Sequence, residues 1–146
     1  LRERHRCALR RGHPLAGRRL TPRQFAALRH VQIAPGELPG GPLDDALSRL
    51  GLERRVVARV PHFLVAPLLL ADTDLVLTAP ARILAVFEGL LDLVTFAPPV
   101  GVPGFTLVQV WHARAHSDPA HRWFRELVRG VMQPAPEPPR LAARAR

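Results

Sequence analysis

Apolar positions along this chain alternate between two periods, and the changes of period mark its elements. In Arg4–Arg10 (RHRCALR), His5, Cys7 and Leu9 fall on one face and Arg6, Ala8 and Arg10 on the other, which predicts a strand. The turn RGHPLAG follows, and Thr21 with Pro22 opens a short helix whose Phe25 and Leu28 face inward. His30–Ala34 (HVQIA) is a short apolar strand stopped by PGELPGGP, where Gly and Pro break regular structure. Leu43, Ala46, Leu47 and Leu50 return to helical spacing, with Gly51 at the C-terminal position.

Arg55–Val60 (RVVARV) reads as the next strand, and HFLVAPLLLA as a helix that Pro67 must interrupt or kink. Asp74–Ala79 is a strand apolar on both faces, as buried parallel strands are. Pro80 opens a helix with Ile83, Leu84, Phe87, Leu90 and Leu91 on one stripe, and Leu93–Phe96 is a short strand. PPVGVPG is a rigid connector to a long strand, Phe105–His112. Asp118 caps a last helix from Pro119, with Trp123, Phe124, Leu127, Val128 and Val131 inward. The tail PAPEPPRLAARAR has the composition of a disordered segment. Strands and helices alternate on short connections without an internal repeat, which predicts an α/β fold with a mostly parallel sheet.

Composition narrows the class. The longest uncharged run within the most apolar stretch is Val60–Ala71, twelve residues, against roughly 20 for a spanning helix. No membrane segment is expected, and no signal peptide, because LRERHRCALRRGH has no apolar core after its basic residues. The start at Leu1 suggests a fragment or a processed product. Cys7 is the only cysteine, so an internal disulfide is excluded and a reducing, cytoplasmic setting fits. The net charge of +9 is uneven: residues 1–30 carry nine Arg and one Glu, whereas residues 31–133 carry nine Arg and ten acidic residues. The N-terminal arginines are scattered over a strand and a helix, without the interleaved aromatics of a nucleic-acid face.

Little in the chain points to catalysis. Ser48 and Ser117 are the only serines, and neither lies in a nucleophile elbow. Asp44 and Asp45 sit in a first helical turn, where the macrodipole favours them, and Asp72 and Asp74 flank a turn. No phosphate loop occurs. His112, His116, Asp118 and His121 cluster in sequence but match no compact zinc spacing. No enzyme, metal site or cofactor is expected.

A binding site has more support. In open α/β sheets ligands sit at the carboxyl ends of strands, beside helix N-termini whose free N–H groups favour an anion. The strand Arg55–Val60 leads into Pro61–His62–Phe63, where His62 offers a donor and Phe63 a flat apolar surface. The strand ends at Thr78–Ala79–Pro80 and at HVQIAPG fall on the same edge. The competing reading makes His62 a cap and Phe63 core.

Three stretches, RCALRRGHPLAGRRLTPRQFAALRHVQIAPG, GPLDDALSRLGLERRVVARVPHFLVAPLLLADTDLVLTAPARI and FTLVQVWHARAHSDPAHRWFRELV, together resemble the effector-binding domain of LysR-type transcriptional regulators. The resemblance covers about residues 4–130, and VPHFLVAPLL and WHARAHSDPAHRWFREL are its most specific parts. The branch it resembles most includes nodulation and aromatic-degradation regulators. It implies the fold of type 2 periplasmic binding proteins, two α/β lobes joined by crossover strands. Residues 1–29 would end the first lobe, residues 30–112 would form the second lobe with the crossovers, the helix in 113–133 would return to the first, and 134–146 would be a disordered tail.

The resemblance also implies an effector pocket lined by Pro35 and Gly36 after the first crossover, His62 and Phe63, and Thr78. The effector would be a small molecule, with aromatic carboxylates among the candidates. The winged helix-turn-helix of the family is missing from this sequence, so DNA would be reached only through that domain, in a full-length homodimer or tetramer. The competing class is a small-molecule binding module or enzyme on the same fold.

Overall fold

The computed structural model describes residues 1–36 and 40–133. The predicted tail lies outside the described residues. After a two-residue strand β1 (Arg2–Glu3), five strands build one sheet: β2 (His5–Arg10), β3 (Arg29–Ile33), β4 (Arg55–Val60), β5 (Leu75–Pro80) and β6 (Leu93–Phe96). Their order across the sheet is β4-β3-β5-β2-β6. β3 runs parallel to both β4 and β5, while β2 runs antiparallel to β5 and β6. Four strands therefore point one way and β2 alone points back, so the expected α/β fold with a mostly parallel sheet holds.

Helices cover the sheet on both faces. α1 (Pro22–Ala26) and α2 (Pro42–Ser48) enclose one core with Cys7, Leu9, Phe25, Leu47 and Val76. α3 (Ala81–Leu90) and the 3-10 helix Ala66–Leu70 enclose the other with Ala8, Val31, Leu70, Leu77 and Leu84. Burial of Cys7, Ala8 and Leu9 together, from both faces of one strand, follows from the central place of β2. Edge strand β4 keeps an exposed–half-buried alternation. The Thr21 cap is a full capping box: its hydroxyl accepts from the Gln24 amide, and Gln24 Oε1 accepts from Thr21 N–H.

Two compact units are distinguishable, Arg2–Phe105 and Leu1 with the residues from Thr106 on. β2 shares the sheet and both cores with the later strands, because β5 and β6 hydrogen-bond to its two sides. The two units divide within β7 (Phe105–Thr106), which lies outside the five-stranded sheet.

Three expectations need correction. The stretch after β4 does not form an α-helix: Phe63–Val65 is a turn and only Ala66–Leu70 is helical, as a 3-10 turn. Pro67 sits in its first turn, and a proline there supplies no N–H to extend an α-helical ladder. The long strand Phe105–His112 shrinks to β7: Leu107 still exchanges two backbone hydrogen bonds with Leu1, but residues 108–112 have no ladder partner among the described residues and a strand needs one. Finally, α4 (Pro119–Met132) forms with its Asp118 cap, the carboxylate accepting from His121 N–H at 2.7 Å, but among the described residues its apolar stripe is largely uncovered, with Val128 half-buried. Trp123, Phe124, Leu127 and Val131 are exposed, and Arg125 is the buried residue. Helical spacing specifies that a stripe exists, and the partner surface decides whether it is inside.

One backbone approach gives a stability test. A Cβ on Gly104 would lie 2.5 Å from the carbonyl oxygen of Glu3, so Gly104→Ala must displace backbone rather than a side chain. A loss of about 1–3 kcal/mol in urea unfolding is expected, and an unchanged midpoint would contradict the close approach.

Candidate functional site

The sheet ends on one side at a cavity of about 220 Å³. Gln32 and Ile33 reach it from the end of β3, and Thr78, Ala79 and Pro80 from the end of β5. β2 runs the other way, so it contributes its first residue, His5. Gly40–Leu43 at the start of α2, Arg54, Phe63 and Phe105 complete the wall with Val102. All of these residues belong to the unit Arg2–Phe105.

The polar groups are held from behind. Thr78 pairs across the ladder with Cys7, and its hydroxyl lies 3.2 Å from the buried Cys7 Sγ. Burial pushes the Cys7 thiol up to about 12, against an opposing pull from the Thr78 hydrogen bond. The thiol therefore stays protonated at neutral pH, and its contact with Thr78 is between neutral groups. Gln32 is buried and bonded at both ends of its amide: the nitrogen donates to Gly40 O at 3.2 Å and the oxygen accepts from Arg59 Nε at 3.1 Å. It anchors the loop between β3 and α2 to the edge strand. His5 Nδ1 lies 3.1 Å from Pro103 O, and its ring sits 5.5 Å from that of Phe105. The Arg54 side chain is only 6% exposed and forms a bidentate pair with Asp44, Nε to Oδ1 at 2.6 Å and Nη2 to Oδ2 at 2.8 Å.

The fold recurs among known proteins. Residues 1–133 match the family described as LysR substrate binding domain. The chain belongs to that family. It is similar to the HTH-type transcriptional regulator SyrM of Rhizobium meliloti (strain 1021), 42% identical over 121 residues, which are 82% of this chain and 37% of SyrM. It is also similar to the HTH-type transcriptional activator NagR of a Ralstonia species, at 34% identity over 86% of this chain and 42% of NagR. Among solved structures, the regulatory domain of MexT, a transcriptional activator in Pseudomonas aeruginosa, superposes with a TM-score of 0.68 at 25% identity, over 87% of this chain and 60% of that one. A Vibrio parahaemolyticus protein superposes at 0.76 with 27% identity, over 89% of this chain and 61% of that one. The chain thus has the LysR substrate-binding fold and spans well under half the length of SyrM and NagR.

Within this LysR domain the structure separates the residues that the sequence grouped. Phe63 and Thr78 line the cavity; Pro35, Gly36 and His62 do not and are exposed. Because no α-helix begins at His62, the helix N-terminus that was to favour an anion is absent there. Gln32, His5 and Arg54 were missed. Gln32 left a trace, as the one polar residue inside HVQIA, but Arg54 stands in ERRVV like any surface arginine.

The histidine cluster also has a different centre. His116 and Ala115 offer their carbonyls to the Arg125 guanidinium at 3.0 and 3.1 Å, and His121 Nδ1 lies 2.6 Å from it. Trp111 lies beneath the same guanidinium, 4.5 Å from its ring centre. Among the described residues no group of three or more His, Cys, Asp or Glu is placed to hold a metal, and no helix is long and apolar enough to cross a membrane.

Proposed function

We propose that this chain is the sensing part of a LysR-type regulator, and that a small effector occupies the cavity at the ends of β3 and β5. The observation that carries this reading is the cavity itself. Its lining brings Thr78, Arg54 and His5 together with Phe63 and Phe105, in a body otherwise packed mainly with aliphatic side chains. Such a mixture of apolar wall and few convergent polar groups is the usual make-up of a small-molecule site. A volume of about 220 Å³ suits a small ligand, since pockets that enclose drug-sized molecules start at roughly 300 Å³.

Aromatic carboxylates are the effector class favoured by two aromatic walls and a guanidinium. In the longer relatives, named HTH-type regulators, effector binding would bias homodimers or tetramers between two DNA-bound arrangements. DNA contact would come from the helix-turn-helix part and the setting would be the cytoplasm. No reaction is assigned to the cavity.

Thermal unfolding with a panel of aromatic and aliphatic acids tests the reading. A ligand at a hundred times its Kd should stabilise by about 2.7 kcal/mol. Thr78→Val should weaken that ligand roughly tenfold through loss of one hydrogen bond, beyond a small drop in the ligand-free Tm from the lost Cys7 contact. A ligand whose affinity ignores both Thr78→Val and Phe63→Ala binds elsewhere and rules the cavity out.

A further inference from the structure

We infer that Arg54 is the anion-recognition residue of this cavity, oriented by Asp44, and that the pair selects a small monocarboxylate over a neutral or doubly charged analogue. The inference rests on the cavity being the effector site.

A guanidinium carries five N–H donors on two usable edges. In Arg54 the edge formed by Nε and Nη2 is spent on the two oxygens of Asp44. Nothing else among the described residues bonds to the other edge, Nη1 with the second N–H of Nη2. Among the described residues no hydrogen bond engages Nη1, and the only sealed, unpaired side-chain polar atom is His30 Nδ1. Nη1 is therefore not a sealed orphan among the described residues, and it belongs to a side chain that is itself almost wholly buried and lines the cavity. An open guanidinium edge in such a place is a preformed fork for a second carboxylate, which would accept two parallel charge-assisted bonds.

Asp44 does two things. It holds the guanidinium plane, so little side-chain entropy is lost when a ligand docks. It also cancels the Arg54 charge, so the site is close to neutral before binding. One incoming negative charge can be matched by the open fork; two would meet the Asp44 carboxylate with no second guanidinium among the cavity-lining residues. A phosphonate dianion should therefore be rejected where a carboxylate of the same shape is accepted. Phe63 and Phe105 in the lining offer apolar surface to a flat aromatic body.

The probes are benzoate, benzamide and phenylphosphonate, with thermal shift and calorimetry on the protein. Benzoate should stabilise more than either of the others. Arg54→Lys, which offers a point charge instead of a fork, should weaken benzoate by roughly tenfold or more and leave benzamide unchanged. Asp44→Asn should raise the response to phenylphosphonate, a gain that loss of structure would not produce. Should the single variants fail to fold, the double variant Arg54→Gln with Asp44→Asn leaves no lone buried charge and should erase the preference for acid over amide.

Equal binding of benzoate and benzamide, both weakened by Thr78→Val, would overturn the anion inference and leave the cavity standing. Equal loss of both ligands in Arg54→Lys would reduce Arg54 to a structural part. Benzoate binding that ignores Arg54 and Thr78 alike would overturn the inference and the cavity together, and no response to any acid would overturn the inference.

Discussion

Acidification from pH 7 to pH 4 is expected to cost the folded chain roughly 3 kcal/mol through His30 alone. The ring is fully buried, and its Nε2 lies 2.9 Å from Phe25 O, an acceptor, so Nε2 carries the proton. Nδ1 is sealed without a partner. A proton added there would find no acceptor and would face the Arg54 guanidinium, only partly offset by Asp44. Burial, the main cause, and Arg54 lower the His30 pKa from 6.5 to about 4, against the Phe25 hydrogen bond.

The neutral form is thus the one the fold accepts. Above pH 6.5 the folded and unfolded chains both hold His30 neutral, and its contribution to stability is complete. Between 6.5 and 4 the unfolded chain takes up a proton that the folded chain refuses, so stability falls as pH falls through that window. His13 is shifted in the same direction, by burial and against the pull of Asp74. Urea unfolding of the wild-type chain and His30→Gln at pH 7, 5.5 and 4 isolates the effect, since the carboxylates titrate in both. The advantage of the wild type should shrink by roughly 3 kcal/mol across the series, and parallel pH slopes would contradict the assignment.

Phe25→Ala should be at least as costly, roughly 4 kcal/mol. Phe25 has no exposed surface and packs among Leu9, Leu20, Leu47 and Val76. Its ring meets those of His30 and Phe96 edge-on, with centroids 4.8 and 6.4 Å away, an orientation that adds to simple burial. Because the total stability of a domain is about 5–15 kcal/mol, this one truncation removes a large share of it. Phe25→Leu, which keeps most of the volume, should cost less than about 1.5 kcal/mol. The cavity left by alanine also opens the space beside His30. Water there should return its pKa toward 6.5 and flatten the acid response, so the two effects share a contact and will not add. A loss for Phe25→Ala no larger than for Phe25→Leu would show that the site collapses without a void.

The elements whose cause is local could be read from the residues. Thr21–Pro22 starts α1 and Asp118–Pro119 starts α4 because caps and N1 prolines act within one turn. Arg55–Val60 and Leu93–Phe96 have the expected bounds, since alternation and flanking breakers are properties of the strand itself. The alternation of α and β elements, with the family's quoted stretches, was enough for the α/β fold and the LysR kinship. Of the site, Thr78 and Phe63 were legible because strand ends in such a sheet lie on one rim.

What remained hidden depends on distant partners. Arg54 reads as solvent-facing until Asp44, ten residues earlier, is folded against it. His5 joins the cavity only because β2 runs antiparallel between β5 and β6, a pairing across some seventy to ninety positions that no local period encodes. The stripe of α4 has the right spacing but little cover among the described residues, and 108–112 has strand composition but no ladder there. Period and capping act over a few residues and are written in them, whereas burial, ladder formation and charge pairing are decided by whichever surface the chain brings opposite.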